Sequence, residues 1–250
     1  MATFVLVHGA WHGGWCWRDV KPVLERAGHS VFAPTLTGLG DRSHLLSPDI
    51  DLDTHIADIV NLLAWEERED VVLVGHSYGG MVITGVADRA KHRLRHVVYL
   101  DAFLPADGES SASHIVGLMN PNATQADFDA EVARRRETAD PQGGGAPDTD
   151  RLFDIPEDLA AEREWVKRRV TPHPVGTQVS PIRLANGGSD DVPRTYILCA
   201  GAPGRTPFMV LADRLRDAPG WTYRELNTTH DAMVTMPAET AELLIEAADG

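Results

Sequence analysis

The sequence has 250 residues, of which 43% are hydrophobic and 24% charged, a composition typical of a globular protein with a large core. Its 23 basic and 37 acidic residues give a net charge of −14, which repels nucleic-acid phosphates and anionic lipids. We therefore predict no nucleic-acid partner and no membrane partner. Two cysteines are too few for a disulfide framework or a cysteine-based zinc site. No apolar run reaches the roughly 20 residues that span a bilayer, and the first one is too short for a signal peptide, which predicts a cytoplasmic protein.

Short apolar runs alternate with helical patterns along most of the chain. The runs that we predict to be strands are Phe4–Val7, Val31–Ala33, Val71–Val74, Val97–Leu100, Tyr196–Cys199 and a weaker last one near Tyr223. Apolar residues at helical spacing follow from Trp17, Ile56 and Phe208, and Pro237 suits the first turn of a last helix. Continuous apolar runs are typical of parallel strands that are buried on both faces. We therefore predict an α/β fold, a mostly parallel six-stranded sheet with helices on both faces.

The alternation breaks between Pro105 and Asp191. Within this segment, Thr124 begins a helix with a capping-box pattern, the polar stretch Thr138–Asp150 predicts a mobile loop, and Pro156 opens a helix that runs to Arg169. We predict a core of residues 1–104 and 192–250, with residues 105–191 inserted as a helical lid. A lid would lie over the carboxyl edge of the sheet, where open α/β sheets bind ligands. The alternative is a set of helices packed against the side of the core.

The segment Gly75-His76-Ser77-Tyr78-Gly79 carries the strongest chemical signal. It follows the buried run Val71–Val74 and precedes an apolar helical pattern, which is the strand–turn–helix context of a G-x-S-x-G nucleophile elbow. Such a turn strains the backbone of the serine, so the residues two before and two after it must be small. The serine oxygen then stands above the sheet at the positive end of the helix. We predict Ser77 as a nucleophile.

A serine hydroxyl needs a base to take its proton and donors to hold the oxyanion that forms. Of the eleven histidines, His230 follows the last predicted strand, the position that the base takes in this architecture. One oxyanion donor is expected to be the backbone amide of Tyr78, directly after the nucleophile. The other is expected in the loop after the first strand, where we choose the amide of Ala10.

Several segments together resemble the α/β-hydrolase superfamily, and within it the compact branch of plant methyl esterases and hydroxynitrile lyases with their bacterial relatives. The matching segments are residues 4–15 (FVLVHGAWHGGW), 38–40 (GLG), the elbow at 75–80, and His230 with Met233 and Pro237. The resemblance implies a six-stranded core, a helical lid and no metal or organic cofactor. It also implies the catalytic roles of Ser77 and His230.

The triad's acid is where the sequence departs from that branch, which usually carries it in the loop after the next-to-last strand. Residues 199–205 contain no carboxylate. Asp101, directly after the run Val97–Leu100, is our prediction for the acid, because some α/β-hydrolases use this strand end and the order nucleophile, acid, base is kept. The alternative is a structural turn acceptor. Asp231 and Asp213 are weaker candidates.

We therefore predict a serine hydrolase that forms an acyl-enzyme on Ser77 and cleaves a carboxylic ester, a class that extends to thioesters and lactones. The substrate is expected to be a small hydrophobic or aromatic molecule, because the expected pocket residues are Trp11, His12, Phe103 and Trp165. A binding protein with little or no turnover is one alternative. A hydroxynitrile-lyase-type enzyme is another, although the resemblance gives such lyases a Thr at position 9 and a Lys at position 231. This chain has Gly9 and Asp231, and an aspartate has the wrong charge to assist departing cyanide.

Overall fold

A sheet of six parallel strands lies at the centre of the computed structural model, which describes residues 1–149 and 152–250. Within those ranges the strands are β1 (Thr3–Val7), β2 (Ser30–Phe32), β3 (Val71–His76), β4 (Leu94–Leu100), β5 (Gly144–Gly145), β6 (His173–Pro174), β7 (Arg194–Cys199) and β8 (Trp221–Leu226). The large sheet has the order β2-β1-β3-β4-β7-β8, and β5 pairs with β6 in a separate antiparallel ladder. The predicted fold class is therefore confirmed.

The α-helices within the described ranges are α1 (Lys21–Arg26), α2 (Leu52–Trp65), α3 (Gly79–Ala90), α4 (Ser111–Met119), α5 (Gln125–Glu137), α6 (Ala160–Lys167), α7 (Val175–Val179), α8 (Pro207–Leu215), α9 (Ala232–Thr235) and α10 (Pro237–Asp249). Short 3-10 helices occupy Gly14–Trp17, Gly40–Leu45, Lys91–Arg93, Leu152–Asp154 and Glu157–Leu159. No helix within the described ranges combines the length and the apolar character that crossing a membrane requires.

Helices cover both faces of the large sheet. Leu73 on β3 packs in a cluster with α2, α3 and α8, whereas its neighbour Val74 packs in a second cluster with α1 and α10. Side chains alternate across a strand, so consecutive residues enter opposite layers. Because both layers are closed, Leu73 and Val74 are equally inaccessible to solvent, and the strand reads as an unbroken apolar run.

The strand register brings the ends of four strands to one edge of the sheet. Val7 on β1 lies opposite Gly75 on β3, His76 lies opposite Leu100 on β4, and Leu100 lies opposite Ile197 on β7. The residues that follow these strands therefore meet at the carboxyl edge. Ala10, Ser77, Asp101 and the loop after β7 all follow those strand ends.

Two predicted helices begin later than the apolar spacing indicated. The helix expected from Trp17 divides into the 3-10 turn Gly14–Trp17 and α1, which has Pro22 in its first turn. Proline lacks the backbone donor that a helix interior needs, so α1 starts just before it. The helix expected from Pro156 likewise opens with the 3-10 turn Glu157–Leu159 and becomes α-helical only in α6.

The segment between β4 and β7 contains α4, α5, α6 and α7. Its predicted mobile loop, Thr138–Asp150, is not a plain loop, since it contributes β5 to the ladder with β6; Asp150 lies outside the described residues. The Asp140 carboxylate accepts hydrogen bonds from the amides of Gln142 and Gly144 at 2.8 and 2.9 Å, which explains how polar residues build this turn. The boundaries of the lid at 105 and 191 stay a prediction.

Candidate active site

The nucleophile elbow has the strained geometry that its sequence predicts. Ser77 has a backbone φ of +55°, in the left-handed region that residues with a Cβ rarely adopt. A side chain at Gly75 would place its Cβ 2.8 Å from the carbonyl oxygen of Gly79, and one at Gly79 would lie 2.8 Å from that of Val7. Both positions therefore require glycine, because the turn leaves no room for a Cβ.

Backbone hydrogen bonds hold the elbow against the end of β4. The Ser77 amide donates to the carbonyl of Leu100 at 3.3 Å, and the Phe103 amide donates to the carbonyl of Ser77 at 3.1 Å. The Ser77 side chain itself stays partly exposed, while its neighbours His76 and Tyr78 are buried. The hydroxyl thus stands at the start of α3, where the helix dipole favours developing negative charge.

Asp101 and His230 form a short hydrogen bond. His230 Nδ1 lies 2.6 Å from Asp101 Oδ2, and the other carboxylate oxygen, Oδ1, accepts the backbone amide of Cys199 at 3.1 Å. Asp101 has a φ of +42°, so it too occupies a left-handed turn directly after its strand. One carboxylate oxygen of Asp101 therefore bonds to the end of β7, and the other bonds to the imidazole of His230. The two weaker candidates pair elsewhere, Asp231 with His12 and Asp213 with Arg205.

The His230 ring lies between two aromatic rings. Phe208 stacks on it with centroids 4.7 Å apart and planes 12° apart, and His76 lies at 4.5 Å. His76 Nε2 also donates to the His230 carbonyl at 3.0 Å, which fixes the backbone of His230 beside the elbow. With Nδ1 bonded to Asp101, Nε2 is the ring nitrogen that remains for proton transfer.

The environment of His230 raises its pKa above the ordinary value. Burial alone lowers the pKa, but the hydrogen bond and charge of Asp101 outweigh it, and the charge of Asp231 adds to the same side. A buried imidazolium beside a carboxylate is thus stabilised. An imidazole that gains a proton readily is suited to act as a general base.

The loop after β1 lies against the elbow. A Cβ at Gly9 would lie 2.9 Å from both Ser77 Cβ and His76 Nδ1, so the backbone of this loop touches the nucleophile turn. Among the turn, loop and cap hydrogen bonds of the described ranges, none is donated by the amide of Ala10 or Tyr78. Both amides therefore have a donor to offer at this edge of the sheet.

A cavity of about 260 Å³ opens beside His230. Its walls combine apolar rings with acidic side chains, and they include Trp11, Phe153, Phe208, Asp148 and Asp154. Trp11 and Phe153 lie with ring centroids 6.1 Å apart. A volume of this size accommodates a small molecule or one portion of a larger one.

Of the four predicted pocket residues, Trp11 lines this cavity and the other three do not. His12 is buried behind the loop after β1, where its ring bonds to Ala10 and Asp231. Phe103 lies behind Phe208, with ring centroids 5.0 Å apart.

Trp165 is not among the residues that line the cavity. Its ring packs edge-on against Trp15 at 5.0 Å and lies under the guanidinium of Arg18. Core residues and pocket residues are both apolar or aromatic, so the residue type alone does not distinguish them. Phe208, assigned from sequence only to a helix, was the missed residue. The sequence signal that could have identified Phe208 as a cavity residue is its position directly after the loop that follows β7.

Comparisons with known proteins agree with this architecture. The profile of the alpha/beta hydrolase family matches residues 4–243. A carbendazim hydrolyzing esterase from Nocardioides sp. is 45% identical over 247 residues, 98% of each chain. Methylesterase 7 from Arabidopsis thaliana is 29% identical over 98% of this chain and 96% of its own.

An alpha-hydroxynitrile lyase from Arabidopsis thaliana is 39% identical over 114 residues, 45% of this chain and 44% of its own. Among solved structures, an extracellular alpha/beta-hydrolase from a Paenibacillus species superimposes with a TM-score of 0.81 over 99% of both chains, at 22% identity. The full-length likeness to an esterase confirms the predicted class of enzyme. The chain therefore belongs to the alpha/beta hydrolase family, as an ester hydrolase.

Proposed function

We propose that the protein hydrolyses small carboxylic esters through an acyl-enzyme on Ser77, with His230 as the base and Asp101 as the acid. The hydrogen bond of 2.6 Å between Asp101 Oδ2 and His230 Nδ1 carries this proposal. A carboxylate at Nδ1 holds the imidazole in the tautomer that leaves Nε2 free to accept a proton, and it stabilises the imidazolium that forms.

The reaction begins when Ser77 Oγ attacks the ester carbonyl carbon and its proton moves to His230 Nε2. The carbonyl oxygen becomes an oxyanion, which the amides of Ala10 and Tyr78 hold. The carbon–oxygen bond of the leaving alcohol then breaks, and the alcohol takes the proton from His230. A water molecule, deprotonated by His230, attacks the acyl-enzyme. The acid leaves and Ser77 recovers its proton.

The cavity beside His230 supports a substrate with a small apolar or aromatic portion. Trp11, Phe153 and Phe208 supply flat apolar surface beside His230 and Asp101. Such walls bind aromatic groups by burial and by offset or edge-on ring contacts. The Nocardioides relative is named for hydrolysing carbendazim, so that compound belongs in the first substrate panel.

The two alternatives are not favoured. The absence of a carboxylate in the loop after β7 favours a binding protein without turnover, but the hydrogen bond of Asp101 to the imidazole of His230 supports an alternative acid. For a lyase, the threonine that such enzymes place at position 9 would bring its Cβ 2.9 Å from Ser77 Cβ. Asp231, fully buried, supplies negative charge where the lyases use a lysine.

The experiment that tests the function measures hydrolysis of p-nitrophenyl acetate, p-nitrophenyl benzoate and carbendazim by wild type and Ser77→Ala. We expect wild-type turnover and at least a 10⁴-fold loss in the variant, since removing the nucleophile leaves only binding and oxyanion contributions. Ser189→Ala is the matched control, because this buried serine bonds to Tyr99 away from the site and its loss should leave turnover unchanged. Wild-type rates in Ser77→Ala would refute the proposal.

A further inference from the structure

Three buried histidines surround the loop that carries the expected oxyanion donor, Gly9–Trp11. His8, His12 and His173 are each at most 1% exposed. Each ring contacts one backbone group of the loop: His8 the carbonyl of Gly9 at 2.8 Å, His12 the carbonyl of Ala10 at 2.7 Å, and His173 the amide of Trp11 at 3.3 Å. Both peptide planes that flank Ala10 are therefore held by imidazoles.

The hydrogen-bond partners of His8 and His173 indicate that both rings are neutral. His8 Nδ1 faces the Gly9 carbonyl and must donate, while its Nε2 accepts the Leu36 amide at 3.0 Å. His173 Nδ1 accepts the Trp11 amide, and its Nε2 donates to Thr177 Oγ1 at 2.7 Å. One donor and one acceptor per ring is the neutral imidazole. In agreement, burial lowers the pKa of His8 to about 3 and that of His173 well below its ordinary value.

His12 differs from its neighbours, because both of its nitrogens face acceptors. Nδ1 lies 2.7 Å from the carbonyl oxygen of Ala10, and Nε2 lies 3.0 Å from Asp231 Oδ2. A carbonyl oxygen and an ionised carboxylate accept hydrogen bonds but donate none. Satisfying both contacts requires a proton on each nitrogen, which makes the ring an imidazolium.

The other assignment places a proton on Asp231 and leaves His12 neutral. Burial raises the pKa of Asp231, but the charge and hydrogen bond of His12, with the charges of His76 and His230, outweigh it and the net pKa is lowered. Asp231 is fully buried, and its Oδ1 has no hydrogen-bond partner within the described ranges. Oδ1 lies 3.9 Å from His76 Nε2, and that nitrogen already donates to the His230 carbonyl. The carboxylate is thus balanced chiefly by His12.

We propose that His12 is an imidazolium paired with the Asp231 carboxylate, and that the pair is a positioning device for the oxyanion loop. This inference rests on the proposed function, because it matters to turnover only if the Ala10 amide holds the oxyanion. It assigns two residues a part in catalysis without contact with the substrate. It also replaces the pocket role that the sequence suggested for His12.

The physical basis is the restraint on one strained turn. Trp11 has a φ of +64°, so the peptide between Ala10 and Trp11 lies in a conformation that local preference disfavours. His12 holds the carbonyl end of that peptide and His173 holds its amide end. Asp231 follows His230 directly, so the pair also ties the loop that bears the base to the loop that bears the donor.

The kinetic test compares His12→Gln and Asp231→Asn with wild type on an activated aryl ester. A shift of about 1 Å in a catalytic group can cost roughly 10²-fold in rate, so we expect kcat to fall 10- to 100-fold while KM changes little. The double variant should lose no more than the more affected single variant, since either change breaks the same pair. His96→Gln is the matched control, because His96 is also buried and hydrogen-bonded, to Thr195, but lies near the opposite edge of the sheet.

A transition-state analogue separates positioning from general loss of stability. Ser77 Oγ adds to the carbonyl carbon of an aryl trifluoromethyl ketone, its proton passes to His230, and the carbonyl oxygen becomes a tetrahedral oxyanion. The affinity of this ketone should therefore fall by the same factor as kcat/KM in His12→Gln. Binding of the free carboxylic acid product, which forms no tetrahedral oxyanion, should change less than threefold. Equal weakening of both ligands, or kinetics like those of His96→Gln, would overturn the positioning role.

The charge state can be read in the wild-type protein, whether or not the variants fold. Nitrogen-15 NMR on histidine-labelled protein at pH 9 should show a ring protonated at both nitrogens, because the pair is buried and free imidazole is neutral there. The His230 signal is identified by its loss in His230→Gln. A spectrum in which no other ring carries two protons would refute the ion pair. Activity that survives in Ser77→Ala would instead refute the proposed function, so the two failures are distinguishable.

Discussion

Asp101→Asn tests the candidate triad at the hydrogen bond between Asp101 and His230. The substitution keeps the size of the side chain but gives one end a donor in place of an acceptor. Oδ1 of Asp101 accepts the Cys199 amide at 3.1 Å, so the asparagine carbonyl will occupy that place. The new NH₂ group then points at His230 Nδ1, 2.6 Å away in the wild type. This contact favours the tautomer with the proton on Nε2, which cannot accept a proton from Ser77.

The magnitude follows from that geometry. Turnover would require the disfavoured tautomer and would form an imidazolium with no carboxylate beside it. The loss of an orienting carboxylate in a serine–histidine triad costs about 10⁴-fold in kcat, or roughly 5 kcal/mol of transition-state stabilisation. The fold should survive, because the hydrogen bond to Cys199 remains and no volume is lost. We expect kcat to fall 10³- to 10⁴-fold with KM within threefold of wild type.

The assay is steady-state hydrolysis of an activated aryl ester, with urea unfolding as the check on stability. Asp88→Asn is the matched control. Asp88 is also buried and accepts backbone amides, from residues 185, 186 and 188, but it lies on α3 away from the site. It should reduce stability without reducing kcat. A loss of less than tenfold in a folded Asp101→Asn protein would show that the acid lies elsewhere.

Three further outcomes are expected. The acid limb of kcat/KM should lie above pH 6.5, because the pKa of His230 is raised and the neutral imidazole is lost as pH falls through it. In Asp101→Asn the acid limb should move to lower pH. An unmoved limb would contradict the effect of Asp101 on His230. Gly9→Thr should cut esterase activity more than tenfold without creating lyase activity, since its Cβ would lie 2.9 Å from Ser77 Cβ; near-normal kinetics would refute this crowding. Gly80→Ala should lower the free energy of unfolding by about 3 kcal/mol or more in a urea titration, because its Cβ would lie 2.0 Å from the Phe103 carbonyl oxygen. Gly204→Ala, with nothing within 4 Å, should change it by less than about 0.5 kcal/mol.

The features that the sequence predicts well are those set by neighbours along the chain. β3 and the elbow follow from an apolar run and two glycines around Ser77, because burial and steric room act locally there. Asp101 was reached by its position after a strand next to the nucleophile strand, and parallel pairing brings such ends to one edge. Its catalytic role, like those of Ser77 and His230, stays a prediction until the variants are measured.

The features that escaped sequence reasoning depend on contacts across the chain. His12 looks like a pocket residue beside Trp11, but the left-handed turn at Trp11 directs it into the interior, toward Asp231, 219 residues away. No local pattern encodes that partner. The contact of Trp165 with Trp15 was hidden for a similar reason, since its spacing on α6 indicates a buried face but not which surface that face covers.

With the proposed acid at the end of β4, the turn after β7 contains no proposed catalytic residue. Residues 201 and 203–205 are exposed, whereas Ala202 and Thr206 in the same turn reach the wall of the cavity. Gly201 is fixed, because its amide donates to the Thr228 carbonyl at 2.8 Å, but the exposed residues 203–205 can vary without changing a proposed catalytic residue. Substrate preference in this enzyme can diversify there while the reaction itself is conserved.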